Sequence, residues 1–286
     1  MQTNFQDKNA IITGGSSGIG KATARLLARH GANVFIVARR EKMLNAALDE
    51  IGAERNNARQ VFRGFPADVS KGERMRAVVN TIVESGHHPD ILVNSAGIAS
   101  CNYFDELTLD DFRRTMDTNF FGTVKATQAV LPFMKDRHSG HIVNVSSVAG
   151  IVGIFGYTAY GATKFAVRGF SDALRMELKP YNVHVSVLFP PDTDTPQLQE
   201  ENKTKPLETK RLSGTVKLAS PEQVAMELLR GIQKKKRMII CGTDTKMLYA
   251  LYSILPSALE RYLDHVVAKA HQERLRLENA SPASGE

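Results

Sequence analysis

A short apolar run, Ala10 to Thr13, breaks into Gly14-Gly15-Ser16-Ser17-Gly18-Ile19-Gly20, and a helical pattern follows through Leu26, Leu27 and His30 to Gly31. Strand, glycine-rich turn and helix in that order open a βαβ unit. The alternation then continues. Apolar runs at Asn33–Val37, Val61–Phe65, Ile91–Asn94, His141–Val145, Val183–Phe189 and Met238–Ile240 read as strands. Between them, Lys42–Ile51, Met75–Val83, Thr108–Lys135 (two helices), Ala159–Lys179 and Pro221–Lys234 read as helices. Strands that are apolar throughout, rather than alternating, are covered on both faces. The expectation is an α/β, Rossmann-type, doubly wound parallel sheet of about seven strands with helices on both faces. No internal break is visible before about residue 246, so residues 1–246 read as one domain and 247–286 as a C-terminal helical extension. Within the domain, residues 191–220 are mostly polar and read as an irregular substrate loop.

The glycines explain what such a turn is for. Glycine lets the backbone bend tightly and approach a pyrophosphate, whose charge the helix N-terminus holds. Gly14, Ser16, Ser17, Gly18, Ile19 and Gly20 are therefore candidate dinucleotide contacts. No Gly-Lys-Ser/Thr ends the turn, so it is not a nucleoside triphosphate loop. The end of the second strand selects the cofactor. An acid there would take a ribose 2′-hydroxyl, but the chain has Arg39-Arg40, which suits a 2′-phosphate. NADPH/NADP is expected over NAD. Asp68 and Val69 follow the third strand and are candidates for the adenine side; Asp68 equally suits a helix cap.

Tyr160 and Lys164 stand four residues apart in a helical stretch, which brings both side chains to one face. A free phenol titrates near about 10, and a cation beside it favours the phenolate. The pair reads as a tuned acid. Taken alone, such a spacing is common in helices that do no chemistry. Ser147 lies thirteen residues before Tyr160, with Ser146 as its rival, and Tyr157 is a rival phenol without a cation at the next turn. Ile151, Val152, Ile154, Phe155 and Tyr157 would wall an apolar channel or pack as core.

Taken together, these residues resemble the short-chain dehydrogenase/reductase family. Thr13 to Gly20 is similar to its cofactor turn, and Asn94-Ser95-Ala96-Gly97 to the element after its fourth strand. Ser147, Tyr160 and Lys164 have its catalytic spacing, and Asn119 matches its helix Asn. The likeness covers residues 8–240. It implies a nicotinamide-dependent oxidoreductase in which Tyr160 delivers a proton and Ser147 supports the developing alkoxide. Lys164 would lower the Tyr160 pKa and hold ribose hydroxyls, and Asn119 would hold a water linking Lys164 to solvent. It also implies cofactor contacts from Asn94, Ala96 and Gly97, and from Thr193 and Thr195 after the sixth strand. Pro180–Val183, Phe189–Pro196 and Glu200–Thr209 narrow the likeness to members that reduce a long-chain keto-amine, a sphingoid substrate, with NADPH. A broader carbonyl, steroid or lipid ketone reductase stays open, as does a non-catalytic NADP-binding protein.

The chain has 37 Lys and Arg against 30 Asp and Glu, a formal charge of +7. No nucleic-acid signature accompanies that charge, so it reads as solubility rather than nucleic-acid binding. Cys101 and Cys241 match no metal or disulfide spacing, which fits a reduced compartment. Met1 to Lys8 is polar, so no secretory leader is expected. Met247 to Leu255 is apolar, with Lys234–Arg237 before it and Arg261, Lys269 and Arg274 after it. Such a segment suits peripheral contact with an anionic membrane. It would also suit a lid over a lipid cleft, an oligomer contact, or plain packing on its own domain. The expected protein is a cytoplasmic homo-oligomer, with peripheral contact on the cytoplasmic face of a membrane as one of the readings of that segment, and a disordered tail from Glu278.

Overall fold

The computed structural model describes residues 5–214 and 217–280. Among them seven strands form one parallel sheet: β1 (Asn9–Thr13), β2 (Asn33–Ala38), β3 (Phe62–Pro66), β4 (Ile91–Asn94), β5 (Gly140–Val145), β6 (Val183–Phe189) and β7 (Met238–Ile240). Their order is β3-β2-β1-β4-β5-β6-β7. The helices of the sheet are α1 (Gly18–Arg29), α2 (Glu41–Gly52), α3 (Gly72–Glu84), α4 (Leu109–Met116), α5 (Gly122–Asp136) and α6 (Thr158–Leu178). Then follow α7 (Pro196–Thr204), α8 (Leu207–Ser213), α9 (Pro221–Gln233), α10 (Thr243–Ile254) and α11 (Pro256–Ala280).

The period-2 geometry of a strand sends neighbouring side chains to opposite faces. Ile12, Val34, Ile36 and Val93 therefore pack with Leu27, Leu44 and Leu228 of α1, α2 and α9. Ile11, Phe35, Val37 and Leu92 pack with Met75, Val79, Val130 and Leu174 of α3, α5 and α6. Both faces are covered, which is why the strands read as unbroken apolar runs. The exception is β3, whose residues are half-buried or exposed. It lies at the edge of the sheet, where Pro66 removes no needed donor.

The segment after β6 is more ordered than expected. Residues 191–220 contain α7 and α8 rather than irregular chain. The Thr195 hydroxyl accepts from the Leu198 amide, and Pro196 follows at the first helical position, a start signal that the polar composition masks. The tail differs too. Glu278 to Ala280 belong to α11, while residues 281–286 lie outside the described residues. The extension already begins in α10 at Thr243, and it is anchored. Leu248, Tyr249 and Tyr252 pack on Ile151, Val187 and Phe189, while Met247, Leu251, Ile254 and Leu255 face outward. No described helix is long and apolar enough to cross a membrane.

Between α4 and α5 the helix does not stop. Asp117–Phe121 form one π-helical turn with buried Asn119 at its centre. Such turns widen a helix by one residue and are frequent at functional sites.

Candidate active site

Strand order reverses between β1 and β4, and a crevice opens beyond their carboxyl ends. A cleft of about 720 Å³ occupies that place. Its walls come from the turn after β1, from Ser95–Ala99, from Ser146–Ala149, from α6, and from Pro190–Glu201. Leu248 and Leu263 of the extension also reach it.

The β1–α1 turn is shaped by two left-handed glycines, Gly14 at φ +68° and Gly18 at φ +52°. A Cβ on Gly14 would meet the Ala96 backbone at 2.8 Å, and one on Gly18 would meet Thr195 Cγ2 at 3.0 Å. The bare backbone is thus a requirement of the cleft wall. Gly20 serves the turn itself, since its Cβ would strike the Gly14 carbonyl oxygen at 2.4 Å. Ser17, Ile19, Arg39 and Arg40 line the cleft, and Ser16 is buried within the turn. With a helix N-terminus and a glycine cradle, these residues fit a nicotinamide dinucleotide, and Arg39 and Arg40 add two cations to the same wall.

Three expected cofactor contacts point elsewhere. Asn94 is buried and donates to Thr127 Oγ1 at 3.2 Å and Asn144 Oδ1 at 2.8 Å, tying β4 to β5 and α5. It is absent from the cleft-lining residues, where Ala96 and Gly97 do stand. Asp68 Oδ1 accepts from the Ser70 amide at 2.8 Å, a local turn rather than a helix cap, since Lys71 takes the cap position of α3. Burial works against its charge, yet the bonds from Ser70 and the charge of Arg39 hold its carboxyl below the usual range. Val69 packs against Gly122, whose Cβ would stand 2.7 Å from Val69 Cγ2. Thr193 and Thr195 line the cleft, with Thr193 Oγ1 donating to the Pro191 carbonyl and Thr195 capping α7.

At the other end stand Ser147, Tyr160 and Lys164. Ser146 spends its hydroxyl on the Lys164 carbonyl at 2.9 Å. The Ser147 hydroxyl accepts from the Ala149 amide at 3.2 Å and lies beside the Tyr160 phenol, whose ionised form it favours. Tyr157, the rival phenol, donates to Glu201 Oε2 at 2.7 Å. Burial pushes the Tyr160 hydroxyl up, the Glu201 charge adds to that, and Ser147 opposes it. Lys164 does not offset this rise. Its Nζ donates to the Val145 carbonyl at 2.9 Å and stands 5.3 Å from the centre of the Tyr160 ring. Burial lowers Lys164 to about 8, against the pull of Glu201. The simple picture of a lysine pressing down the tyrosine pKa is therefore corrected: spacing puts both on one helix face, but the ammonium is turned toward β5.

Asn119 holds the chain rather than facing the cleft. Its Oδ1 accepts from the Ile98 amide at 2.9 Å. Its Nδ2 donates to the Ile98 carbonyl at 2.9 Å and to Thr163 Oγ1 at 3.0 Å. It thereby locks the Gly97–Ile98 wall to α6, one residue from Lys164. The channel residues divide. Val152, Ile154 and Tyr157 line the cleft, whereas Ile151 is core and Phe155 packs edge-on against Tyr103.

Sequence reasoning missed the charged residues of α7 and α8. Glu201 lines the cleft and is buried. Glu208 is fully buried, accepts from the Tyr103 hydroxyl at 2.9 Å and lies 3.2 Å from both His271 and Arg274 of α11. No local pattern marks a glutamate for burial; all three partners of Glu208 lie more than sixty residues away.

The short chain dehydrogenase family pattern matches residues 8–206. This chain belongs to the short-chain dehydrogenase family. It is 44% identical to a 3-dehydrosphinganine reductase of Danio rerio over 244 residues, 85% of this chain and 74% of the relative. It is 43% identical, over the same shares, to a 3-ketodihydrosphingosine reductase of Mus musculus. A short-chain dehydrogenase/reductase from Burkholderia phymatum, solved with NAD, superposes with TM-score 0.77 at 24% identity. It covers 87% of this chain and 94% of its own. As a member of the short-chain dehydrogenase family, the chain is an oxidoreductase that uses a nicotinamide cofactor.

Proposed function

We propose that this enzyme reduces 3-ketodihydrosphingosine to dihydrosphingosine with NADPH, a step of sphingolipid synthesis. The observation that carries the chemistry is the Ser147–Tyr160 pair at the inner end of the cleft. The names of the relatives at 43–44% identity support the substrate. The cofactor, when bound, supplies a hydride to the carbonyl carbon. Everything else falls to the chain. Tyr160 gives its phenolic proton to the carbonyl oxygen as that oxygen gains charge. Ser147 donates a hydrogen bond to the same oxygen, stabilising charge where it develops. Lys164 would hold the ribose hydroxyls, and Asn119 keeps the Gly97–Ile98 wall in register with α6. Arg39 and Arg40 favour a 2′-phosphate, which supports NADPH over NADH.

The lipid substrate gives the outward apolar residues a role. Met247 is 71% exposed and Ile254 74%, on a helix preceded by a run of lysines. Peripheral attachment to the cytoplasmic face of an anionic membrane is part of the proposal. Sedimentation with phosphatidylserine vesicles tests it: wild type should co-sediment, and Met247→Ser with Ile254→Ser should not. Self-association through the same face would instead appear in size exclusion without vesicles.

The activity is tested by following NADPH oxidation with 3-ketodihydrosphingosine, a steroid ketone and a simple aliphatic ketone. Consumption selective for the sphingoid ketone is expected. Equal rates on all three would favour the broad reductase, and no turnover would remove the reading.

A further inference from the structure

Three carboxylates line the cleft at its α7 side: Asp192, Glu200 and Glu201. Two have a lysine. Asp192 Oδ2 lies 3.5 Å from Lys205 Nζ, and Glu200 pairs with Lys203. Glu201 has none within 4.0 Å among the described residues, although it is only 8% exposed. Its Oε2 accepts from the Tyr157 hydroxyl at 2.7 Å and its Oε1 from Gln197 Nε2 at 2.8 Å. Both donors are neutral. Lys205, 5.7 Å from the centre of the Tyr157 ring, reaches Asp192 instead, and Lys164 is bound to the Val145 carbonyl.

A buried carboxylate without a cation costs free energy that a fold has no reason to bear. A glutamine could keep both neighbours without that cost if the Tyr157 hydroxyl turned to accept from its amide, since only its carbonyl oxygen accepts. The charge therefore serves something that enters the cleft. Each oxygen has accepted one hydrogen bond and retains a lone pair. The site is next to the chemistry: the Tyr157 ring that contacts Glu201 stands 5.4 Å, centre to centre, from the Tyr160 ring. Apolar side chains, among them Val152, Ile154 and Leu248, line the same cleft. A ligand that suits these walls has a hydrocarbon tail and a cation close to its reacting carbonyl.

We infer that Glu201 is the specificity-determining residue that receives the ammonium group beside the ketone of a long-chain amino ketone. This inference rests on the function proposed above and adds how the enzyme tells its substrate from other lipid ketones. Binding leaves the carboxylate paired with a cation, so an otherwise identical ketone without the amine leaves it buried and uncompensated. Discrimination arises from that difference.

The test compares 3-ketodihydrosphingosine with the same chain bearing hydrogen in place of the amine. Wild type should favour the amine by about 100-fold in kcat/KM. Glu201→Gln should bring the ratio of the two kcat/KM values close to one, the readout being that ratio rather than either rate. NADPH titration of the variant should match wild type. A variant that keeps the preference, or loses both substrates equally with NADPH binding intact, overturns the assignment. A wild-type measurement stands independently of folding: dihydrosphingosine should inhibit and its N-acetyl derivative should not. Equal inhibition by the two overturns the inference. Turnover of neither ketone by wild type removes the functional reading itself, a distinct result.

Discussion

The turn from Gly14 to Gly20 and the segment from Pro191 to Ser213 both wall the cleft, but they are held in different ways. The turn is held by backbone. It hangs between β1 and α1, with no room for a Cβ at Gly14, and the Gly14 amide donates to the Val37 carbonyl at 2.8 Å. The later segment is held by side chains. Two short helices are fixed through Glu201 to Tyr157, through Thr209 to the Phe155 carbonyl, and through Glu208 to α11. Sheet geometry permits little variation in the first. The second can be rebuilt by exchanging a few polar residues while the sheet stays as it is.

Each half should fail in its own way. The largest effect is expected where the two meet. Tyr160→Phe removes the proton donor and should lower turnover by about 10³-fold while NADPH still binds. Fluorescence titration beside a rate assay checks both. Next, Arg39→Ala with Arg40→Ala should raise the Kd for NADPH by about 10- to 100-fold, as charge-assisted bonds are lost, and leave NADH nearly unchanged. If NADH weakens equally, the arginines do not read the 2′-phosphate. Glu208→Ala belongs to the substrate half. It should raise KM for the ketone several-fold, expose α11 to protease, and spare cofactor affinity. Weakened NADPH binding there would break the contrast between the halves.

The smallest effect concerns proton linkage. Lys164 sits at about 8 when folded against an ordinary 10.5, because burial disfavours its charge. Between those values the unfolded chain holds the extra proton, so this group contributes stability that rises with pH across the window. Below about 8 both states hold it and the contribution is flat. Lys164→Met should lose this rise. The difference in unfolding free energy, wild type minus variant, should therefore climb from pH 8 to 10.5 in urea titrations.

The legibility of the molecule follows the same division. Strand runs, glycines and the four-residue spacing of Tyr160 and Lys164 are local patterns, and the parallel sheet and the cleft's inner end follow from them. The directions of side chains do not. Asn94 and Asp68 sit at the expected positions but satisfy neighbours in the protein. Asn119 has the right place but bonds the Ile98 backbone. Glu201 and Glu208 could not be singled out, because burial of a charge depends on distant partners. The helices of residues 196–213 had a local signal in Thr195-Pro196, which polar composition obscured.

The π-helical turn at Asp117–Phe121 amounts to an inserted residue in an otherwise continuous α4–α5 rod. The wide turn takes up that residue locally, so α4 and α5 keep the facing of one continuous helix, with Thr115 buried on one side of it and Val130 and Met134 in the core on the other. Deleting one residue here would let the rod close into regular α-helix with both faces kept, and what would be lost is the bulge that carries Asn119 to the Ile98 backbone. The enzyme thus keeps an irregularity that helix hydrogen bonding alone would remove, because the reach of one side chain depends on it.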